Sequence, residues 1–278
     1  MANEQLDLRS LQEDLKDIKF DGTDPIEKAL ARLERLPLSQ VLATRGQIPI
    51  TECSDPLVEV DTKILRVQPH PYQTCGAPYG KVSPFFLRDD VRTRLLAAQD
   101  ELSIQFPKAR LIIYDGYRPL EVQEYMVNYT MKELAEKDHV DISKASAEVR
   151  QHYLNVTLKV WALPNFDPKC PPPHSTGAAV DVLIIDGSGK PFDFGAEFDE
   201  PSDRILPNYY KDKSDPASTQ FHRNRDILNN VMSKQGFVRL SGEYWHFSYG
   251  DQYWGLVQQL VYPDQKITAL YGRADLAV

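Results

Sequence analysis

An acid in the middle of an apolar run is the most informative feature of this sequence. Asp181 sits within Ala178-Ala-Val-Asp-Val-Leu-Ile-Ile185, where an isolated carboxylate is costly to bury unless it is paired or bound to a cation. Three explanations compete: a salt bridge, an outward-facing strand position, or a metal ligand. His174 lies seven residues earlier, behind the proline run 171–173, with Gly177 between them where the backbone must turn tightly or approach a neighbour closely. Zinc takes imidazole nitrogen and carboxylate oxygen, and hydrolytic sites commonly use three protein ligands plus water. The best third ligand is His246, in Gly242-Glu-Tyr-Trp-His-Phe247, where aromatic neighbours would exclude water.

Glu243, three residues before His246, could take a proton from an activated water and pass it to a leaving amine. Residues i and i+3 of a regular strand point to opposite faces, so this role requires a bulge or turn, which Gly242 could supply. The plain alternative for this segment is a strand with a core Trp and a satisfied His. Arg118, in Tyr114-Asp-Gly-Tyr-Arg-Pro119, follows an apolar run and precedes a helix-starting proline. A guanidinium fixed at such a junction suits an oxyanion, or equally a structural ion pair with Asp115. Two further residues carry weaker signals. His70, in a Pro- and Gly-rich loop, reads as solvated surface rather than a ligand, and Cys170 lacks the surroundings of an activated thiol.

The elements that must position these groups follow from periodicity. Leu6, Leu8, Leu11, Leu15 and Ile18, then Ile26, Leu30, Leu33 and Leu36 after Asp24-Pro25, predict a helical N-terminal extension. One strand is expected over 58–67, an irregular loop over 68–84 and a helix over 87–105. A strand over 109–115, helices over 119–138 and 143–163, and a strand over 178–185 follow. A polar loop over 190–216 could roof a site. A helix over 218–235 and short strands at 237–240 and 243–248 complete the domain. The mixture predicts an α+β fold, a small, largely antiparallel sheet with packed helices. Residues 1–50 form the helical extension and 51–278 the catalytic domain.

Composition narrows the class. The 278 residues are 42% hydrophobic and 26% charged, with a net charge of −8; no basic stripe appears, which argues against nucleic-acid binding. Three widely spaced cysteines read as reduced thiols. Neither a secretory leader nor a membrane span is recognisable, so a cytoplasmic location without membrane attachment is expected; oligomeric state is not legible.

Taken together, these blocks resemble the D-alanyl-D-alanine dipeptidases, a branch of the zinc D,D-peptidases. The family pattern Ser-x-His-x-x-Gly-x-Ala-x-Asp matches Pro172-Pro-His174-Ser-Thr-Gly177-Ala-Ala179-Val-Asp181 except at its first position. Glu-x-Trp-His appears as Glu243-Tyr-Trp245-His246, and Asp-Gly-Tyr-Arg-Pro is intact at 115–119. The resemblance reaches back to about residue 58. It implies His174, Asp181 and His246 as Zn2+ ligands, Glu243 as general base and Arg118 as stabiliser of the tetrahedral intermediate. It also implies that Asp199, in Glu197-Phe-Asp-Glu200, receives the substrate's ammonium; an exposed loop acid is the alternative. Pro172 replaces the family Ser and brings neither hydroxyl nor N–H, a loss Ser175 could offset as a substrate contact. The implied activity is zinc-dependent hydrolysis of D-Ala-D-Ala or a similar small dipeptide. The alternatives are a D,D-carboxypeptidase or wall endopeptidase, which an open groove would distinguish, and a non-catalytic zinc-binding recognition module. Retention of Glu243 and Arg118 speaks against the last. No His-Glu-x-x-His occurs, which disfavours thermolysin-like chemistry.

Overall fold

The computed structural model describes residues 6–17 and 24–274, without the side chains of 13–17. Ile18 of the expected N-terminal stripe and the Leu15 side chain therefore lie outside the described residues. The chain opens with helices α1 (Leu8–Asp17), α2 (Pro25–Leu33) and α3 (Leu38–Thr44). Asp24 caps α2 by accepting from the Ile26 N–H at 2.8 Å, and Pro25 holds the first helical position.

The strand expected over 58–67 is two strands, β1 (Leu57–Glu59) and β2 (Leu65–Arg66). The polar Asp61-Thr-Lys63 stretch interrupts it: the Asp61 carboxylate accepts from the Lys63 N–H and its carbonyl from the Ile64 N–H, closing a turn. A short helix α4 (Pro71–Thr74) and strand β3 (Phe86–Arg88) follow, then α5 (Asp89–Gln105), β4 (Arg110–Asp115), α6 (Leu120–Lys137) and α7 (Ala147–Thr157). The last part comprises β5 (Ala179–Ile185), α8 (Pro216–Ser233), β6 (Val238–Arg239), β7 (His246–Ser248) and α9 (Gln252–Val261). Two expectations are corrected here. The second strand of the final pair begins at His246, not Glu243, and α9 was not foreseen. Its signal is present: Asp251 caps it through the Trp254 N–H, and Tyr253, Leu256, Val257 and Leu260 repeat at helical spacing.

The main sheet runs β2-β4-β5-β7-β6. Only β2 and β4 are parallel; the other three pairings are antiparallel, so the α+β architecture with a largely antiparallel sheet is what the chain forms. β1 and β3 make a separate antiparallel pair. Every residue of β5 is buried, which explains its unbroken apolar run: it is central, covered on both faces. Leu95, Leu102, Leu111, Ile113, Val180, Val182, Leu228 and Phe247 belong to the main core. A second core joins Leu11, Leu30, Leu33 and Val41 to Leu256, Val257 and Leu260, so the N-terminal helices pack on α9. Among the described residues no helix is long and apolar enough to cross a membrane.

Candidate metal centre and active site

Strand register assembles the centre. In the antiparallel β5/β7 pair, Asp181 lies directly opposite His246. On the other side, the β4/β5 register shifts between Ile113 and Asp115, so that Asp115 rather than Tyr114 opposes Asp181. A bulge puts two residues of one strand against one of its neighbour and re-aims the side chains beyond it. One row across β4, β5 and β7 thus carries Asp115, Asp181 and His246.

His174 arrives from outside the sheet, on a single 3-10 turn, Pro173–Thr176. Gly177 ends that turn at φ +72°, and a Cβ there would lie 2.2 Å from Leu57 Cδ2. The position thus demands both a left-handed backbone and the absence of a side chain, as the sequence suggested. His174 Nδ1 lies 2.8 Å from the Gly116 carbonyl. A carbonyl only accepts, so Nδ1 carries the hydrogen and Nε2 presents its lone pair inward.

That Nε2 stands 3.3 Å from Asp181 Oδ2 and 3.1 Å from His246 Nδ1, while His246 Nδ1 is 3.0 Å from Asp181 Oδ1. One donor atom from each of the three residues lies within 4.8 Å of the others, and all three residues are buried. Although His246 Nδ1 is that close to Asp181 Oδ1, the approach lacks hydrogen-bond geometry, so this buried oxygen is left without a proper hydrogen bond. Burial would raise the Asp181 pKa, but His174 and His246 hold it well below the usual carboxylate range. Burial likewise disfavours a charged His246, yet Asp181 raises its pKa. Positive charge is favoured at this point, and two imidazoles with one carboxylate fit a divalent cation.

Three of the other four expected groups, Arg118, Asp199 and Glu243, line one cavity of about 430 Å³ together with the three candidate ligands. Glu243 sits in the turn between β6 and β7, with Oε2 3.9 Å from His246 Nδ1. A turn, not a bulge, brings Glu243 round to the side of His246. Gly242 serves it by closeness: a Cβ would lie 2.7 Å from Leu38 Cδ2 of α3. Burial, helped by Asp181, pushes the Glu243 carboxyl up to about 7 against the opposing pull of His246 and Arg118.

Arg118 forms the ion pair with Asp115 that the sequence offered as one reading. Its Nε donates to Asp115 Oδ2 at 2.7 Å, its NH2 is 2.6 Å from the same oxygen, and NH1 donates to Gln123 Oε1 at 2.7 Å. Its guanidinium also packs over Trp161, 4.8 Å from the ring centre. Five N–H bonds in a rigid fork leave donors on both terminal nitrogens for an oxyanion.

Asp199 is half-buried rather than an exposed loop acid, and adopts φ +57°, a conformation uncommon for a side-chain-bearing residue. Phe198 anchors it by stacking on Tyr114 at 4.6 Å and leaning on Trp245 at 5.0 Å. The Tyr72 hydroxyl donates to Asp199 Oδ2 at 2.9 Å. Burial, then the negative charge of Asp181, push this carboxyl up to about 8.

Ser175 is not brought to the cavity. It is buried, and its hydroxyl donates to the Pro172 carbonyl at 2.7 Å. Asp199 is the only residue of the 190–216 loop on the cavity wall; the walls come mainly from 158–165, 170–173 and helix α3. His70 is buried, not solvated: its Nε2 is 2.8 Å from the Tyr114 carbonyl and 3.8 Å from Asp115 Oδ1. Sequence reasoning gave Asp115 too small a part. It is fully buried and accepts from Tyr79 and Arg118, with His174 Nδ1 at 3.5 Å. Its place beside Arg118 in a five-residue block was the available signal.

The sequence model of the family described as D-ala-D-ala dipeptidase (peptidase M15) matches residues 66–268. A D-alanyl-D-alanine dipeptidase from Synechocystis sp. is 39% identical over 246 residues, which cover 86% of this chain and 98% of the relative. A D-alanyl-D-alanine dipeptidase from Escherichia coli is 30% identical over 143 residues, 51% of this chain and 56% of that protein. The solved structure of the LD-carboxypeptidase LdcB aligns over 78% of this chain and 76% of its own with a TM-score of 0.38 at 15% identity. The chain belongs to the D-ala-D-ala dipeptidase family of peptidases.

Proposed function

We propose that this peptidase hydrolyses D-Ala-D-Ala, or a similarly small dipeptide, with a single zinc ion held by His174, Asp181 and His246. The observation that carries the reading is the buried three-donor cluster with Glu243 beside it. When bound, zinc would lower the pKa of a coordinated water to near ~7 and polarise the scissile carbonyl.

The chain's own groups supply the rest. Glu243, pushed up to about 7, accepts a proton from the attacking water and returns it to the leaving amine, because a shuttle works best with a pKa near the working pH. Arg118 donates N–H bonds to the oxygen that becomes negative as the carbonyl carbon turns tetrahedral; its grip on Asp115 and Gln123 fixes it in advance. Asp199 accepts the substrate's free ammonium, which would exchange the burial of a lone carboxyl for an ion pair. The Trp161 and Leu158–Pro164 wall bounds a cavity of about 430 Å³, a size suited to a small ligand. A cavity of that size suits a dipeptide better than the interior of a wall polymer.

The test is metal analysis of the purified protein together with cleavage of D-Ala-D-Ala, L-Ala-L-Ala and D-Ala-D-Ala-D-Ala. The reading expects one zinc per chain and rapid release of D-alanine from the D,D-dipeptide alone. A protein that binds zinc yet cleaves none of the three would be a recognition module instead.

A further inference from the structure

Helix α3 and the turn after it form one wall of the cavity, through Leu38, Leu42 and Arg45. This wall lies ahead of residues 66–268, the part that the family model matches. Of the Arg and Lys side chains along the cavity, Arg118 is committed to Asp115 and Lys159 is exposed. Arg45 is different: it is only 6% exposed. Its NH1 donates to the Pro171 carbonyl at 2.8 Å and stands 3.5 Å from Cys170 Sγ, while its Nε has no partner.

Among the described residues no carboxylate lies within ion-pair distance of Arg45. Asp251, which acts on it from further away, is already engaged by the Ser248 hydroxyl and the Trp254 N–H. A guanidinium stays charged at any working pH, and a buried charge without a counter-charge is costly. In the neighbouring strap, Pro172 and Pro173 have no N–H, and the Ser175 hydroxyl is turned to the Pro172 carbonyl. Arg45 is therefore the buried cationic donor of this wall, short of an anion.

We propose that Arg45 binds the free C-terminal carboxylate of the substrate and sets the enzyme's selectivity for dipeptides that end in one. This rests on the peptidase reading above. Asp199 on the Tyr72 side and Arg45 on the Cys170–Pro172 side then receive the two charged ends of a zwitterionic dipeptide. Arg45 acts as a specificity-determining residue; the reacting atoms are handled by Glu243, Arg118 and the metal ligands.

The experiment compares hydrolysis of D-Ala-D-Ala with that of its C-terminal amide by the wild type, Arg45→Gln and Arg45→Lys, with zinc content measured on each. The wild type prefers the free acid. Arg45→Gln loses roughly 10- to 100-fold in kcat/KM on the acid, the range for a hydrogen-bonded ionic contact, while amide hydrolysis and zinc content hold. If Gln unfolds the chain, Arg45→Lys carries the test: it keeps a cation and a donor but not the planar fork, so its acid preference narrows while amide hydrolysis holds. An equal fall on acid and amide, or no change on either, overturns the assignment and leaves Arg45 as a bracket for the strap. A wild type that cleaves neither compound overturns the underlying peptidase reading instead, which the variants alone could not do.

Discussion

Asp181 and His246 face each other across the antiparallel β5/β7 pair, with Oδ1 and Nδ1 3.0 Å apart. The two residues are 65 positions apart in the chain, yet the ladder between their strands fixes their separation as firmly as any local turn. A site built on paired strands holds its geometry better than one hung on loops. Only His174 comes from a loop, and its Nδ1 bond to the Gly116 carbonyl compensates by locking the ring.

Metal removal follows directly. A chelator should abolish dipeptide hydrolysis, and zinc should restore it. A ligand present at a thousandfold excess over its Kd stabilises the folded state by about 4 kcal/mol, so the apo protein should also melt at lower temperature. Asp181→Ala should behave as permanently apo, with no retained metal and no thermal response to added zinc. Calorimetry with and without zinc checks both; a wild type whose Tm ignores zinc would contradict the centre.

Replacing Glu243 separates binding from chemistry. Glu243→Gln keeps the shape of the side chain but cannot hold the proton, so hydrolysis should fall by roughly 10²–10⁴-fold. Zinc stoichiometry should match the wild type, because Glu243 stands beside the three donors without belonging to them. Loss of zinc from this variant would make Glu243 a ligand and remove it from the proton shuttle.

Most of this site was readable before folding. Asp181 betrayed itself by standing in a strand that is otherwise wholly apolar, and His174, Glu243 and His246 by motif and spacing. Arg45 was not readable: an arginine after a helical stripe looks like surface, yet it is buried with its NH1 on the Pro171 carbonyl, 126 residues away in the chain. The bulge at Tyr114 was equally hidden, since strand alternation alone pairs Tyr114, not Asp115, with Asp181. His70 looked solvated because its loop is polar, yet Tyr72, Tyr79 and Phe85 enclose its ring. For Arg45 and the bulge the deciding contact joins segments distant in sequence, where local patterns carry no information; for His70 the folding of its own loop decides.

Asp199 should show its role in substrate choice. Asp199→Asn removes the counter-charge for an ammonium, so kcat/KM on the free dipeptide should fall about 10- to 100-fold, mainly through KM. An N-acetylated dipeptide, which has no ammonium, should be a poor substrate of both forms to the same degree. Tyr72→Phe removes one donor from Asp199 Oδ2 and should cost the same substrate about 2- to 10-fold. Steady-state kinetics on the pair of substrates checks all three statements; equal losses on both would show a structural effect.

Gly177 gives the sharpest stability test. Its φ of +72° costs a residue with a Cβ about 1–2 kcal/mol, and the 2.2 Å approach of Leu57 Cδ2 adds overpacking of about 1–3 kcal/mol. Gly177→Ala should therefore lower unfolding stability by about 2–5 kcal/mol in denaturant titration. Trimming the obstacle distinguishes the two causes. In the double variant with Leu57→Ala, part of the clash disappears but the backbone strain stays, so the two losses should add to less than their sum. The Gly177 carbonyl also accepts from the Arg88 N–H and its N–H donates to the His174 carbonyl, so a shift here tilts the ligand-bearing turn. Zinc affinity should fall with stability in Gly177→Ala; a destabilised variant that kept full zinc affinity would show that the turn is not what aims His174.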